Sequence, residues 1–378
     1  MQDTLFEDLV TDAPSTEGIK YTGSKLKLLP HILSLSHKVN AKTVFDGFSG
    51  STRVSQAYAK SGYTVIANDI AVYSKIFNTA YLLNTKTAKS YQEIIEHLNN
   101  LLPVDGWFTQ NYGGEGNGVN SVSEDGLKKP WQKKNTMRLD AIREEIDRLN
   151  LDEVTKAVCI ASLILAMDQV DSTLGHFVSY LNDWSPRSYK DMKLVVPELF
   201  INKKNNTVLN YDIFDAMKHI GNDIDLAYYD PPYGSNNEKM PPSRVRYQSY
   251  YHIWTTICLN DKPELFGKAK RRTDTSDIIA GSIFEEFRKG NSGRFIVVEA
   301  IERLIKETPT KYIILSYSSG GRATASELND VMNSYGKLIE VEEIDYKKNV
   351  MATMKWTNDW IKDIDEKNKE FLFLMEKK

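Results

Sequence analysis

Residues 224–233 of this 378-residue chain read Ile-Asp-Leu-Ala-Tyr-Tyr-Asp-Pro-Pro-Tyr. Ile224 to Tyr229 is a short apolar and aromatic run, the pattern of a buried strand, and Asp230 stands where that strand runs out. Pro231 and Pro232 fix the backbone in an extended shape and donate no hydrogen bonds, so their carbonyls stay free to accept. Tyr233 adds a flat aromatic face. A carboxylate, a free carbonyl and an aromatic plate at a strand end can hold a planar amine, and a nucleobase with an exocyclic amino group fits that description. Taken alone, Asp-Pro-Pro reads equally well as a strand followed by a loop. Its neighbours in the sequence have to decide.

A second chemical site lies near the N-terminus. Lys42 to Asp46 is a strand running into Gly47-Phe48-Ser49-Gly50-Ser51, and a helical pattern follows through Val54, Ala57 and Tyr58. Strand, glycine-rich turn, helix is how an α/β sheet makes room for a cofactor at its carboxyl edge. The turn matches neither the dinucleotide fingerprint Gly-x-Gly-x-x-Gly nor a phosphate loop, which needs Gly-Lys-Ser/Thr. The next strand, Thr64 to Asn68, ends in Asp69, a carboxylate placed to bind a ribose diol, with Ile70 beside it to pack on an adenosine. Asp69 also reads as a helix cap, and both roles can coexist.

The elements that must position these groups follow from periodicity. Residues 1–18 are polar and read as loose. A helix starts at Leu28, residues 43–70 give strand, helix, strand, and Ala71 to Leu101 is helical. Residues 103–136 break the pattern: Trp107, Phe108, Tyr112 and Trp131 alternate with Asn, Gly and Ser, and Gly113, Gly114, Gly116 and Gly118 oppose a helix. Long loops in compact domains are usually functional, so this one is expected as an ordered surface loop touching a substrate or a nucleic acid. Residues 136–169 return to helix. His176, after the polar run Asp171 to Gly175, reads as either a structural histidine or a base. Thr207 to Leu209 is a strand, and Lys337 to Ile344 and Glu370 to Met375 are two late strands.

Composition sets bounds. Apolar residues at 41% and charged residues at 26% describe an ordinary globular protein, longer than one typical domain. Cys159 and Cys258 form neither a disulfide framework nor a metal pattern and read as core residues in a reducing compartment. No apolar run reaches membrane-spanning length, and the acidic start is not a secretory signal, so a cytoplasmic location is expected. The net charge of −3 gives no support for a nucleic-acid partner. Contacts to phosphates must then rest on local cations: Arg244, Arg246, Lys133, Lys134 and the run Lys268 to Arg272, with Lys270, Arg271 and Arg272 at its centre. Each patch reads equally as a solvated face.

The order of Tyr21 to Lys25 (Tyr-Thr-Gly-Ser-Lys), the Asp46 to Ser51 turn, Asn68-Asp69-Ile70 and Asp230 to Tyr233 resembles the Dam-like, α-type class of adenine-N6 DNA methyltransferases. Tyr312 to Ser318 resembles the strand after the catalytic motif in that class. The match covers about residues 19–80, 205–255 and 311–345. It implies a Rossmann-like seven-stranded mixed α/β sheet, whose last two strands are the pair after residue 336, with a helical and loop insertion for DNA recognition. It divides the chain into a catalytic part, 19–102 and 201–378, and an insertion, 103–200, with 234–300 as a second candidate DNA-contacting insertion.

The resemblance further implies S-adenosylmethionine as cofactor. Tyr21, Gly23, Lys25, Asp46, Gly47, Phe48, Ser49, Gly50, Ser51, Asp69, Ile70, Asp212 and Phe214 would hold it, with Asp212 accepting from its adenine amino group. Asp230, Pro231, Pro232 and Tyr233 would carry out catalysis on a base flipped from duplex DNA, in a restriction-modification setting with a cognate endonuclease as partner. The transfer requires no metal. Cytosine-N4 methylation, methylation of RNA or of a protein glutamine, and a noncatalytic specificity subunit of the same fold remain as alternatives. The recognition sequence is not legible.

Overall fold

The computed structural model describes residues 13–115, 118–233, 246–276, 281–346 and 368–378. Among them, seven strands share one sheet: β1 (Thr43–Asp46), β2 (Thr64–Asn68), β3 (Thr207–Leu209), β4 (Leu226–Tyr229), β5 (Tyr312–Ser318), β6 (Gly336–Tyr346) and β7 (Asn368–Lys377). Their spatial order is β6-β7-β5-β4-β1-β2-β3. The pairs from β5 across to β3 are parallel, and β7 runs antiparallel between β5 and β6. This is the Rossmann-like arrangement. The chain winds outward through β1, β2 and β3 and then returns to place β4 against β1. That reversal opens a crevice at the carboxyl ends of β1 and β4, where α/β sheets take their ligands.

Strands buried on both faces read as continuous apolar runs, which is why β4 and β5 stand out in sequence. Alternate side chains go to opposite faces. Val44, Val65, Leu226, Tyr228, Ile314, Leu372 and Leu374 face α1 (Leu29–Lys38) and α2 (Arg53–Lys60). Phe45, Ala227, Tyr229, Ile313, Leu315 and Phe373 face the other layer, which takes in two later helices, Ile296–Glu307 and Ala325–Tyr335.

A third core is helical. It joins α3 (Val72–Leu82), α4 (Lys133–Arg148), α5 (Glu153–Gln169) and α6 (His252–Leu259). α5 is buried along most of its length, from Ala157 to Met167, and so forms the centre of this body. The two stretches expected as separate DNA-contacting insertions thus pack together, with α3 from the catalytic stretch between them and the sheet. The single helix expected over 136–169 is broken in two: Asn150 takes a left-handed φ of 45°, and Asp152 caps α5 by accepting from the Thr155 N–H. The helix expected over 71–101 is likewise interrupted between Leu82 and Gln92 by a 3₁₀ turn at Ala88–Tyr91.

The aromatic loop of 103–136 is corrected outright. Trp107–Tyr112 is a helix, and Phe108, Tyr112 and Trp131 are buried in the helical core. Gly106, at the start of that helix, serves a different purpose from a surface loop. A Cβ on Gly106 would lie 2.6 Å from the Asp140 carboxylate, which reaches across to accept from the N–H groups of Gly106, Phe108 and Thr109. Glycine serves close packing at this point. No helix among the described residues is long and apolar enough to cross a membrane.

Candidate active site

At the end of β1, the Gly47 N–H donates to the Tyr228 carbonyl at 3.0 Å, tying the glycine turn to β4. A Cβ on Gly47 would sit 2.6 Å from the Tyr229 ring and 2.8 Å from Ile213, so only glycine fits. Asn68, buried at the end of β2, donates to the Gly47 and Tyr211 carbonyls and accepts from the Tyr211 N–H. It joins three strand ends by one side chain. Sequence reasoning missed it as more than a flanking residue, although an Asn buried at a strand end is itself a signal of a polar junction.

Asp69 accepts from the Gly50 N–H at 2.7 Å and the Ala71 N–H at 2.8 Å. It therefore fastens the glycine turn to the start of α3. Burial pushes its carboxyl up to about 6, with the two N–H donors pulling back.

The crevice is a cavity of about 490 Å³, and it brings most of the expected residues together. Its lining takes in Tyr21, Gly23 and Lys25, the turn Gly47, Phe48, Ser49, Gly50 and Ser51, and Asp69 with Ile70. Asp212 and Phe214 join the lining, as do Asp230, Pro231, Pro232 and Tyr233, which follow β4. Ile70 keeps 54% of its surface exposed, apolar area available to a flat ligand. Phe214 stacks on Phe284 with an interplanar angle of 14°, and the Arg303 guanidinium lies 3.8 Å from its ring centre. Asp212 accepts from the Phe214 N–H at 3.0 Å, capping the short helix Ile213–Ala216.

Asp46 is the exception. It is fully buried beneath the turn, accepts from the Ser55 hydroxyl at 2.5 Å, and lies outside the cavity lining. Burial raises its carboxyl to about 7. Its bond to Ser55 locks β1 to α2 from beneath the turn. His176 also lies outside the lining: it is buried with its ring 4.8 Å from that of Tyr250, and burial lowers its pKa.

Beside Asp230, the Lys25 ammonium lies 3.1 Å from Asp230 Oδ1 and 3.3 Å from Glu370 Oε2. Burial works against the charge on Lys25, but the Asp230 and Glu370 carboxylates outweigh it and hold its pKa above the ordinary value. Burial likewise raises Asp230, to about 7, with Lys25 opposing and Glu370 adding. The Tyr233 hydroxyl donates to Glu370 Oε1 at 3.2 Å, and its ring packs 5.4 Å from that of Tyr317. Glu370, 345 residues from Lys25, had no local signal in sequence.

The basic run is corrected in part. Arg272, only 4% exposed, pairs with Asp261 at 2.7 and 2.8 Å and with Asp274 at 2.7 Å. Arg271 donates to the Ser249 hydroxyl and the Thr275 carbonyl and lies 4.9 Å from the centre of the Phe266 ring. Both guanidinium groups are committed inside the lobe, where a phosphate would have to displace carboxylates or buried acceptors. Lys270 is half-buried at a turn with φ 52°, its carbonyl accepting from the Tyr112 hydroxyl. Arg246 is half-buried against Gly281, and Arg244 lies outside the described residues. Arg272→Ala should cost about 2 kcal/mol of stability, less than a fully buried pair because Asp261 and Asp274 are part-exposed. Urea unfolding checks this; an unchanged midpoint would return Arg272 to the pool of surface cations.

Comparison with known proteins agrees with this geometry. The chain matches the D12 class N6 adenine-specific DNA methyltransferases over residues 21–286. It is 28% identical to the modification methylase LlaI of Lactococcus lactis subsp. lactis over 87% of its own length and 51% of the relative's. It is 27% identical to the type II methyltransferase M.NlaIII of Neisseria lactamica, over 86% of its own length and 91% of the relative's. It is 25% identical to the type II methyltransferase M.FokI of Planomicrobium okeanokoites, over 87% of its own length and 49% of the relative's. The chain thus spans about half of LlaI and M.FokI but most of M.NlaIII. With a family match over well more than half its residues, the chain belongs to the D12 class N6 adenine-specific DNA methyltransferases.

Proposed function

We propose that this chain methylates the N6 amino group of adenine in duplex DNA, using S-adenosylmethionine, as the modification enzyme of a restriction-modification pair with a cognate endonuclease. The observation that carries the reading is one cavity holding both the glycine turn with Asp69 and the Asp230 to Tyr233 segment. The residues suit the cofactor. The main chain at Gly47 leaves a floor without a Cβ, Asp69 offers a carboxylate for a ribose, and Ile70 and Phe214 present apolar faces for an adenine. Bound there, the cofactor supplies a methyl group on a sulfonium sulfur, an electrophile that needs only a well-aimed nucleophile.

The chain's own groups do the aiming. Adenine N6 is a poor nucleophile because its lone pair is conjugated with the ring. Asp230 and the Pro231 carbonyl accept the two amino hydrogens, which draws the nitrogen toward sp³ character and frees the lone pair. The same acceptors stabilise the positive charge that grows on N6, and being fixed in place they need no reorganisation. As the N6–carbon bond formed the sulfur–carbon bond would break, leaving a neutral thioether, and one N6 proton would then leave to solvent by way of the Asp230 carboxylate. Tyr233 offers the stacking face for a base that has left the duplex. Holding both partners in line supplies much of the remaining acceleration. The helical body of α3 to α6 serves as the target-recognition lobe, with Lys270 and Arg246 as phosphate contacts and a cytoplasmic location where the DNA lies.

Asp230 accepts more strongly when ionised, and only then does it set a negative charge against the cation forming on N6; its carboxyl is held up to about 7 by burial. A raised carboxyl pKa means protonation on the acid side, so kcat should rise through neutral pH and fall below it. A profile flat across that range would remove the charged-acceptor role. Isothermal titration with S-adenosylmethionine, followed by sequencing of methylated bases in DNA from expressing cells, tests the whole reading. Absence of cofactor binding would point instead to a noncatalytic specificity subunit.

A further inference from the structure

β7 is the antiparallel strand of the sheet, so its first residues arrive at the edge where the parallel strands β4 and β5 end. Glu370 stands there, opposite Ser318 at the close of β5. It is 5% exposed, and burying a carboxylate is costly unless each oxygen finds a partner. Each does: Oε2 faces the Lys25 ammonium at 3.3 Å, and Oε1 accepts from the Tyr233 hydroxyl at 3.2 Å. Lys25 reaches Asp230 at 3.1 Å from the same position, and its ammonium lies 5.4 Å from the Tyr233 ring centre.

We propose that Glu370 is a positioning residue for methyl transfer, holding Lys25 and Tyr233 about the target amine and keeping the acceptor end of the cavity net negative. The proposal rests on the functional reading given above. Lys25 alone beside Asp230 would neutralise it, leaving a pair with no net charge to meet the cation that forms on N6. One ammonium between two carboxylates leaves a single negative charge in excess. At short range and out of water, that excess favours the developing positive charge. The division of Lys25 between two acceptors also leaves Asp230 with accepting capacity that an undivided ion pair would consume. Through Oε1, Glu370 fixes the outer end of Tyr233, the plate on which the base would rest.

Asp230 faces Lys25, Glu370, Tyr228, Tyr233, Tyr247 and, through the sheet, Asp46. Of these, Glu370 acts to raise the Asp230 carboxyl and Lys25 to lower it. Removing the Glu370 charge must then move Asp230 ionisation to lower pH, the opposite of what loss of Lys25 would do.

The test is Glu370→Gln, which keeps the shape and an acceptor for Tyr233 but removes the charge, with Glu370→Asp as the charge-keeping companion. Two readouts are taken: the pH profile of kcat, and the Asp230 titration followed by carbon NMR without DNA or cofactor. The expected result for Glu370→Gln is a kcat lower by about tenfold, with cofactor Kd within about twofold. The acid limb and the Asp230 midpoint should both move to lower pH, and Glu370→Asp should keep the limb near its wild-type place. A kcat near wild type, or a loss with limb and midpoint unmoved, overturns the proposal in favour of a merely structural carboxylate. If the wild-type protein transfers no methyl group while Glu370→Gln still moves the Asp230 midpoint to lower pH, the functional reading falls and the role in methyl transfer with it, leaving charge coupling alone.

Discussion

Asp230→Ala should abolish methylation, with kcat down by at least about a thousandfold, while S-adenosylmethionine binds within a few-fold of wild type. The two expectations come from one placement. Asp230 follows β4 and lines the cavity with its carboxylate 3.1 Å from the Lys25 ammonium, whereas the Asp212 carboxylate is taken up by the Phe214 N–H. It would touch the target amine rather than the nucleoside of the cofactor. Lys25 would not be left bare by the substitution, since Glu370 still pairs with it at 3.3 Å, so a collapse of the fold is not expected. Asp230→Asn adds a control: the shape and one acceptor oxygen stay, and the charge goes. It should retain more turnover than the alanine variant and lose the acid limb of the pH profile. Transfer of labelled methyl groups to DNA measures the first effect, and calorimetric titration the second. Turnover of Asp230→Ala close to wild type would sink the assigned role.

Much of this site could be read from the chain because its parts are local. β1, β2 and β3 lie within a residue of where the residue pattern placed them, and β5 lies where the family resemblance implied it. Gly47 to Ser51 and Asp230 to Tyr233 are continuous segments at strand ends, and topology then brings those ends together. The failures are of another kind. Trp107, Phe108, Tyr112 and Trp131 looked like surface aromatics because glycines surround them, yet Gly106 is there to let Asp140 approach the backbone. Arg272 looked like a free cation in a basic run, although Asp261 and Asp274 flank that run and neutralise it. Counting the acids on either side would have shown as much. Asp46 sat in the right turn with its side chain on the wrong side, a matter of strand phase that composition does not carry. Glu370 could not be found at all, because its meaning lies in contacts with Lys25 and Tyr233 made across the whole length of the chain.

Asp69→Ala should weaken S-adenosylmethionine binding by roughly 1–3 kcal/mol, the worth of a charged hydrogen-bond partner, which is about five- to 150-fold in Kd. The structure gives Asp69 a second duty that must be separated from the first. Its two oxygens already accept from Gly50 and Ala71, so the substitution also releases the glycine turn from the end of β2. A carboxylate oxygen can take more than one donor, and the residue lines the cavity beside the exposed face of Ile70, so a ribose hydroxyl can be accepted without breaking the turn. Thermal unfolding and cofactor titration on the same variant divide the two duties. A fastener alone would lower Tm and leave Kd where it was; a ligand group would move Kd by more than the change in stability explains. The pH dependence supplies an independent check on the unmutated protein. With the Asp69 carboxyl held up to about 6 by burial, its charge is present above that value and lost below it. Cofactor affinity should therefore decline as pH falls through about 6, and the decline should vanish in Asp69→Ala. If affinity in the variant equals that of wild type at neutral pH, Asp69 serves the turn and the ribose is held elsewhere.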